Sequence, residues 1–473
     1  MTTMAARDAT MFWLSRRTVN DVFLLYCFAE SPATTDELRA FTAARADGIA
    51  DLRIRAREIA GGLDYPRWEP VEFAPQQFIE HRPAAPAWHT VLTRVGELLG
   101  TGLDATEHPW RIHVFRGVRD APGSTGPSLV AVVQLSHALA DGTRAAALAR
   151  SLFAPEEVVH NHPAGPVDNF TRNPSDPAKN PLRPVDYCAQ ICGWFTDPRV
   201  IGALRFPRQL VRTVRRGRLA HAAQRELLRR GDAGEIPPAA TGFDPCALNP
   251  AAPVRTFDHR VRMLVLDVGA LRVPGHTVTV VALTAISRAL ATYLAERGQL
   301  PRHLGTAVPM ALPAPGTARN NYRGLSIDLH IEEPDLRIRA DRIAEELAIR
   351  RERALNPLLA AQDRVGETVP ALFTVRDVER ADLDTVPPAV DGNTVVSSVY
   401  RGAADLSFAG APVRFTGGFP ALGTVMHLTH GVHGIGETVA LSVHSDLAVI
   451  ADPDRYLELL AESVPAVVAA STG

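Results

Sequence analysis

The first third of the chain mixes helical and strand-like patterns of apolar residues. In some stretches apolar positions recur three and four residues apart, which predicts helices with one buried face. Elsewhere apolar residues alternate or form short β-branched runs, which predicts strands. The predicted helices are Thr34–Glu58, Trp88–Leu103 and Thr143–Phe153. The predicted strands are Trp110–Val118 and Leu129–Leu135. Residues 1–155 are therefore predicted to form one α/β domain.

Residues 256–473 repeat this mixed pattern. The predicted strands are Val261–Leu266, Asn393–Ser398, Pro412–Phe415, Val425–Leu428 and Val439–His444. The predicted helices are Thr277–Glu296, Leu336–Leu355 and Asp452–Val467. The last of these begins with Asp-Pro, a residue pair that suits the first turn of a helix. The pattern predicts a second α/β domain of similar size.

Residues 156–255 separate the two domains and contain many prolines, which break regular structure. The segment from Arg199 to Arg230 carries ten arginines and one acidic residue, Glu226. We interpret this region as a long crossover with one or two helices. Its leucines and valines, flanked by arginines, suit the surface of an anionic membrane or lipid droplet. Pro207 and Gly217 favour the alternative, a solvated bridging helix.

Composition narrows the class of protein. Hydrophobic residues make up 46% of the 473 residues and the net charge is −2, which suits large cores and argues against a nucleic-acid-binding protein. The chain has 4 cysteines, which favours a reducing compartment over a disulfide framework. The first residues lack the apolar run of a secretory signal, and no uninterrupted apolar run approaches the ~18 residues of a spanning helix. We expect a cytoplasmic protein that is soluble or peripheral to a membrane.

Two groups of residues contain the types that bind metals. Cys188 and Cys192 have a CxxxC spacing, which is unusual for zinc, and no second pair follows. His427, His430 and His433 would point to alternating faces of a strand, so one metal would not meet all three. We therefore expect no metal and no bound cofactor.

The segment QLSHALADG, Gln134–Gly142, places a histidine between a predicted buried strand and a predicted helix. Acyl transfer to an alcohol or amine needs a base that is neutral near pH 7, and imidazole meets that need. At the end of a strand, His137 would point into the cleft beyond the sheet. Asp141 can cap the following helix, and Gly142 lets the backbone turn. Spacing alone leaves an alternative, a histidine that only binds a loop carbonyl.

This segment resembles the HHxxxDG signature of the wax ester synthase/diacylglycerol acyltransferase family. Those bacterial enzymes are related to chloramphenicol acetyltransferase and to peptide-synthetase condensation domains. Further similar segments are Leu14–Phe28, Leu103–Val118, Val308–Pro309, Asn320–Asn321, Val395–Ser398, Phe408–Val413 and His444–Leu460. The resemblance implies two chloramphenicol-acetyltransferase-like domains with mixed sheets, joined by a long crossover. It places the active site in a tunnel between them.

The resemblance also implies roles for single residues. His137 matches the general base, and Asp141 matches an aspartate that orients the loop through an ion pair. Acyl-CoA would be the co-substrate, attacked directly by a hydroxyl acceptor without an acyl-enzyme. The acceptor would be a long-chain alcohol or diacylglycerol. An oxyanion donor is chemically required, and Asn321 and Ser397 are the candidates for oxyanion or substrate contacts.

Several positions depart from the family pattern. Ser136 stands in place of the first motif histidine, and Ser398 in place of a strand asparagine. Thr279–Val280 replaces an Asn-Asp pair, His108–Trp110 keeps only the tryptophan of a Pro-Leu-Trp motif, and Met310 follows Pro309 where an arginine is expected. These changes favour two alternatives. One is an acyltransferase for a natural-product hydroxyl or amine, and the other is a non-catalytic lipid-binding or scaffold protein on the same fold.

Overall fold

The chain folds around two six-stranded sheets and the helices that cover them. This computed structural model describes residues 2–155, 198–313, 317–383 and 385–472. Cys188 and Cys192, together with residues 156–197 of the predicted crossover, lie outside the described residues. Each six-stranded sheet combines parallel and antiparallel strand pairs. The predicted α/β class with mixed sheets is confirmed.

The first sheet is built mainly by the N-terminal half. Its strands are β2 (Val22–Ala29), β5 (Phe78–His81), β6 (Trp110–Val118), β7 (Ser128–Leu135), β12 (Ser407–Phe408) and β13 (Ala411–Phe419). They lie in the order β12-β13-β2-β7-β6-β5. A small sheet contains β1 (Thr2–Thr3), β3 (Ile54–Arg57) and β4 (Arg67–Pro70). The helices of this half are α1 (Ala6–Leu14), α2 (Thr35–Asp47), α3 (Trp88–Leu99) and α4 (Gly142–Phe153).

The second sheet belongs to the C-terminal half. Its strands are β8 (His259–Asp267), β9 (Gly305–Ala311), β10 (Tyr322–Asp328), β11 (Thr394–Tyr400), β14 (Leu428–Ile435) and β15 (Thr438–Asp446). They lie in the order β10-β9-β11-β14-β15-β8. The helices are α5 (Pro198–Asp232), α6 (Val278–Ala295), α7 (Leu336–Ala354), α8 (Pro357–Gly366), α9 (Ala371–Arg380) and α10 (Pro453–Thr472).

The two halves share the first sheet, because β12 and β13 cross over from the C-terminal half. β13 pairs antiparallel with β2, from Phe419 opposite Phe23 to Val413 opposite Phe28. Apolar side chains of α3, β2 and β8 also meet in a common buried core. The junction between the halves is therefore a continuous packed interface. The crossover of β12 and β13 into the first sheet is a feature that the predicted domain bounds did not include.

Most predicted elements differ from the structure by a few residues at their ends, and two of the differences have a clear physical cause. The helix predicted at Thr34–Glu58 stops at Asp47, after starting at a Thr34 capping box. Beyond it Ile54–Arg57 pairs with β4 as a strand, because that short sheet satisfies its backbone. The strand predicted at Val425–Leu428 instead begins at Leu428, where pairing with β11 and β15 starts.

Two helices bear on the predicted relation to membranes. α5 lies in the predicted crossover, and Thr213 of α5 donates to the carbonyl of Thr368 over 2.5 Å. Among the described residues, α6 is long and apolar enough to cross a membrane by length and composition. However, 67% of that helix is buried inside the protein, as expected for the core helix of a domain.

Candidate active site

His137 lies directly beyond β7 in a tight loop that leads into α4. The loop is held at its base, since the Ser136 N–H donates to the Pro109 carbonyl over 2.8 Å and the Leu139 N–H donates to the Ser136 carbonyl over 2.8 Å. The strand before it is entirely buried. His137 itself is partly exposed. The sequence thus folds here as a rigid strand and a rigid helix that together fix one imidazole at the junction of the two halves.

The imidazole is clamped by Asn320, which precedes β10 in the other half of the molecule. Nδ1 of His137 and Oδ1 of Asn320 are 2.7 Å apart. The Asn320 Nδ2 group donates to the His137 carbonyl over 2.7 Å and to the Asp8 carboxylate over 3.0 Å. Both of these partners accept hydrogen bonds only, which fixes the orientation of the amide. Oδ1 therefore faces His137, so Nδ1 carries the proton and Nε2 is left with its lone pair.

Asp8 anchors this arrangement from helix α1, where it is buried. Its carboxylate accepts the backbone N–H of Arg319 over 2.9 Å and that of Asn320 over 2.9 Å. Burial raises the pKa of Asp8, and these amide donors counteract the rise. Burial also lowers the pKa of His137 from its ordinary value. The imidazole is therefore neutral at pH 7, as a general base must be.

Asp141 caps α4 and ties the motif to the second half. Its carboxylate accepts the N–H of Arg144 over 2.9 Å and the N–H of Asn321 over 2.9 Å. The ion pair implied for Asp141 is not found among the described residues, because both nearby arginines are taken by Asp51. Asp51 pairs with Arg144, and with Arg319 over 2.8 Å. Loop orientation here relies on backbone amides.

Gly142 begins α4 without a special backbone conformation. A Cβ added there would meet no atom within 4 Å. The expectation that this glycine lets the backbone turn is therefore wrong, because the turn is made by the Ser136–Ala140 loop and the Asp141 cap.

Replacing Asp141 with alanine should lower the midpoint of thermal unfolding. Loss of an aspartate cap costs about 1 kcal/mol, and the Asn321 N–H also loses its acceptor. The variant D141N keeps a side-chain carbonyl oxygen and should retain most of the stability. Scanning fluorimetry of the three proteins checks this, and equal midpoints for D141A and the wild type would contradict the capping role.

The other residues proposed from the sequence lie in different positions around the site. Ser136 is buried, and its hydroxyl accepts only a long 3.4 Å bond from the Ala138 N–H. Asn321 uses its amide to donate to the Leu312 carbonyl over 3.0 Å, which closes the β9–β10 connection. Ser397 lies on β11 and makes no side-chain hydrogen bond to another described residue. Neither candidate for the oxyanion contact forms a side-chain hydrogen bond with His137.

The second sheet opens next to the motif. β11 pairs with β9 only at Thr394 and Val395, although β9 continues to Ala311 and β11 continues to Tyr400. Beyond that point the facing edges of the two strands diverge and leave a split in the sheet. Tyr322, opposite Ala311 on β10, has its ring centroid 6.0 Å from that of His137. The split therefore ends close to the imidazole.

Two of the positions that depart from the family pattern, Thr279 and Ser398, meet beside β11. The Thr279 hydroxyl of α6 and the Ser398 hydroxyl of β11 are 2.8 Å apart. Both groups are small and partly buried. The two replacements are thus mutually consistent, and they leave two hydroxyl groups where two amide groups are expected.

Sequence reasoning missed Asp8 and Asn320 as site residues. Asn320 was noted only as part of a loop match, and Asp8 lies more than 120 positions from the motif along the chain. Asp8 did carry one signal, since it is an acid on the buried face of a short helix. A buried acid needs a partner, but the sequence does not reveal which one.

The three histidines of the HLTHGVHG segment each have different surroundings. His427 lies 3.0 Å from the Asp446 carboxylate, and His430 lies 2.7 Å from the Tyr456 hydroxyl. Burial lowers the pKa of His430 to about 3. Among the described residues, one group of potential metal ligands has its ligand atoms within 4.8 Å of one another: His303, Asp328 and Glu332, which include none of these three histidines. That group lies at the far end of β10, away from His137.

The fold is similar to that of peptide-synthetase condensation domains. The first condensation domain of the CDA synthetase is 16% identical and covers 98% of this chain and 96% of its own, with a TM-score of 0.52. The starter condensation domain of rhizomide synthetase RzmA, in complex with C8-CoA and Leu-SNAC, is 11% identical. It covers 100% of this chain and 94% of its own, also with a TM-score of 0.52.

The structure is also similar to the wax ester synthase/diacylglycerol acyltransferase from Marinobacter aquaeolei VT8. The two are 16% identical over 98% of both chains, with a TM-score of 0.61. Residues 4–235 match the wax ester synthase/diacylglycerol acyltransferase catalytic domain, so this part of the chain is similar to that acyltransferase family. A comparison with curated proteins gives no match.

Proposed function

We propose that the protein transfers an acyl chain from acyl-CoA to a hydroxyl acceptor, with His137 as the general base. The observation that carries the proposal is the hydrogen bond between Nδ1 of His137 and Oδ1 of Asn320, 2.7 Å long. It leaves Nε2 as a proton acceptor at the junction of the two halves. An imidazole fixed in this tautomer at the end of a rigid strand suits proton abstraction.

The proposed reaction proceeds in two linked proton transfers. Nε2 of His137 takes the hydroxyl proton as the acceptor oxygen attacks the thioester carbonyl carbon. The tetrahedral intermediate then collapses, the carbon–sulfur bond breaks, and the imidazolium returns the proton to the thiolate of CoA. The ester and free CoA thiol are the products, and no covalent enzyme intermediate forms.

Acyl-CoA is the proposed donor, because an enzyme of the same fold has been captured with C8-CoA bound. The split between β9 and β11 is the proposed path for the substrates. For the acceptor we propose a long-chain alcohol or diacylglycerol, as the family suggests. The hydroxyl pair of Thr279 and Ser398 favours a second candidate, a more polar natural-product hydroxyl or amine.

The test is a panel of acceptors with palmitoyl-CoA, read by mass spectrometry. The panel contains hexadecanol, dioleoylglycerol, a polyketide alcohol, a sugar and an amine. Formation of one ester or amide, absent with H137A, supports the proposal and identifies the acceptor. Binding of lipid without turnover of any acyl-CoA would instead support a non-catalytic lipid-binding or scaffold protein.

Tyr322 is the proposed hydrogen-bond donor to the developing oxyanion. Burial raises the pKa of its phenol, and the nearby Asp141 carboxylate raises it further. The hydroxyl group therefore keeps its proton at neutral pH. Loss of one such donor typically lowers kcat by about 10²-fold, and we expect Y322F to do so with little change in KM. Tyr400, which is 68% exposed, provides the control Y400F, and equal rates for both variants would exclude Tyr322.

We further propose that the protein works in the cytoplasm and binds anionic membrane or lipid-droplet surfaces through α5. Two apolar side chains of this helix point outward, Val211 at 60% and Leu219 at 67% exposure. Neighbouring arginines are exposed and make no ion pair with another described residue: Arg208, Arg212, Arg215 and Arg218. Each such arginine contributes about 1 kcal/mol of attraction to an anionic surface.

This surface predicts a preference for anionic vesicles. In flotation assays the wild type should bind vesicles that contain phosphatidylglycerol and should remain unbound with pure phosphatidylcholine. The double variant V211E/L219E should lose the binding, because it removes apolar area and adds negative charge. Binding that is equal for both vesicles, or for both proteins, would contradict the role of α5.

A further inference from the structure

A buried arginine at the junction of the two halves has no acidic partner in the part of the chain that the structure describes. Arg401 directly follows β11 and is 4% exposed. Its Nη1 group donates to the Thr416 hydroxyl and, over 2.8 Å, to the Gly417 carbonyl. No carboxylate of the described residues forms an ion pair with it. Burial of this charge lowers the pKa of Arg401, but an arginine keeps its proton in proteins.

One complete edge of the Arg401 guanidinium is unpaired. Nε and Nη2 have no hydrogen-bond partner among the described residues. These two N–H groups point the same way and form the fork that binds a carboxylate through two parallel hydrogen bonds. A buried donor without an acceptor costs about 1–3 kcal/mol, and a charged donor costs more. An anionic acceptor at this edge would therefore be bound favourably.

Two neutral polar groups lie near the guanidinium. The Tyr26 hydroxyl is buried without a partner, and the Tyr26 ring centroid is 5.3 Å from Cζ of Arg401. Nδ1 of His433 is also buried without a partner. A Cβ added to Gly418 would stand 2.7 Å from Nη2 of Arg401 and 3.2 Å from Nε2 of His433. The guanidinium and the imidazole are thus neighbours, with no side chain between them.

We propose that Arg401, His433 and Tyr26 form a binding site for a carboxylate at the junction of the two halves. The free edge of Arg401 pairs with both carboxylate oxygens. Neutral His433 and the Tyr26 hydroxyl supply further donors, and they add no charge. One carboxylate balances the one buried cation, so the filled site is neutral.

The carboxylate can come from two sources. One is a small free anion such as formate or acetate. The other is a carboxylate on the acyl chain of the substrate, a reading that rests on the proposed acyl transfer. Tyr26 and Val22 lie on one face of β2, and Val22 pairs with Leu135 beside the motif. Four residues of strand place the site roughly 14 Å from that end of the sheet.

The first experiment measures the midpoint of thermal unfolding of the full chain at increasing concentrations of sodium formate. Sodium gluconate, whose anion is too bulky to be buried, replaces formate so that the ionic strength stays constant. The wild type should show a saturable rise of at least about 2 °C. The variant R401M should show no formate-dependent rise, and R401K a much smaller one. R414M removes an arginine on β13 that donates to the Ser128 hydroxyl, and it should respond like the wild type.

The wild-type titration alone can overturn the site, whether or not R401M folds. A flat response to formate, or an equal response in R401M, would contradict it. The second experiment compares glutaryl-CoA with pentanoyl-CoA as donors for the acceptor that the panel identifies. The quantity compared is the ratio of the rates with glutaryl-CoA and with pentanoyl-CoA. A preference for glutaryl-CoA that falls at least tenfold in R401M assigns the site to a substrate carboxylate, and an unchanged ratio assigns it to a free anion. If no acyl-CoA is turned over, the proposed function fails, while the formate titration still decides the site.

Discussion

The variant H137Q should lose about 10³-fold in kcat, because general base catalysis contributes about 10²–10⁴-fold. Glutamine keeps a polar side chain of similar length, but it cannot accept a proton at neutral pH. KM for acyl-CoA should change little, since the imidazole acts in the transition state. Initial rates with the acceptor found in the panel check this. A rate within a few fold of the wild type would remove His137 from the mechanism.

The pH dependence of the wild type follows from the same group. A base must be neutral, and burial lowers the pKa of His137. Activity should therefore stay on its plateau as the pH falls to 6.5, the ordinary value for imidazole, and decline only below it. A profile of kcat/KM from pH 5 to 9 checks this. A decline that is already complete at pH 7 would contradict a buried, neutral base.

The variant N320A should lose about 10²-fold in kcat with little change in KM. Without the amide oxygen, Nδ1 no longer has a fixed acceptor, and part of the imidazole carries its proton on Nε2, where it cannot act as a base. The clamp also connects the two halves through Asp8, so the loop before β10 should loosen. Because Asp8 accepts three N–H groups of this loop, D8N should show a smaller loss in the same direction.

The neighbouring asparagine provides a matched control for this prediction. Asn321 has the same side chain but donates to the Leu312 carbonyl, so N321A should retain most of its activity. The pH profile of kcat/KM for N320A separates a role in positioning His137 from a role in stability. A variant that is only less stable keeps the wild-type profile. Equal rates for N320A and N321A would contradict the role of Asn320.

The sequence predicted the elements around the motif because strong local signals coincide there. The apolar run before His137 and the alanine-rich stretch after Asp141 became β7 and α4, with bounds close to those expected. The fold class was also predictable, since alternating helix and strand patterns specify an α/β architecture. The helix at Thr34–Glu58 was predicted too long. The spacing of apolar residues does not show that Ile54–Arg57 pairs with a distant segment in a small sheet.

The clamp on His137 could not be predicted, because it joins residues from three distant segments. Nothing local connects Asp8, His137 and Asn320, and the packing of the two halves against each other brings their segments together. Arg401 shows the same limit. No local pattern marks it as buried, yet the fold inserts its side chain beside Tyr26 of the first sheet.

The central claim is that Asn320 holds His137 with the proton on Nδ1 and the lone pair on Nε2. Long-range proton–nitrogen NMR of histidine-labelled protein at pH 7.5 tests it most directly, with H137Q used to assign the signal. The account predicts a neutral ring with a protonated Nδ1 in the wild type and a mixture of tautomers in N320A. A wild-type ring with the proton on Nε2, or a charged ring, would contradict it.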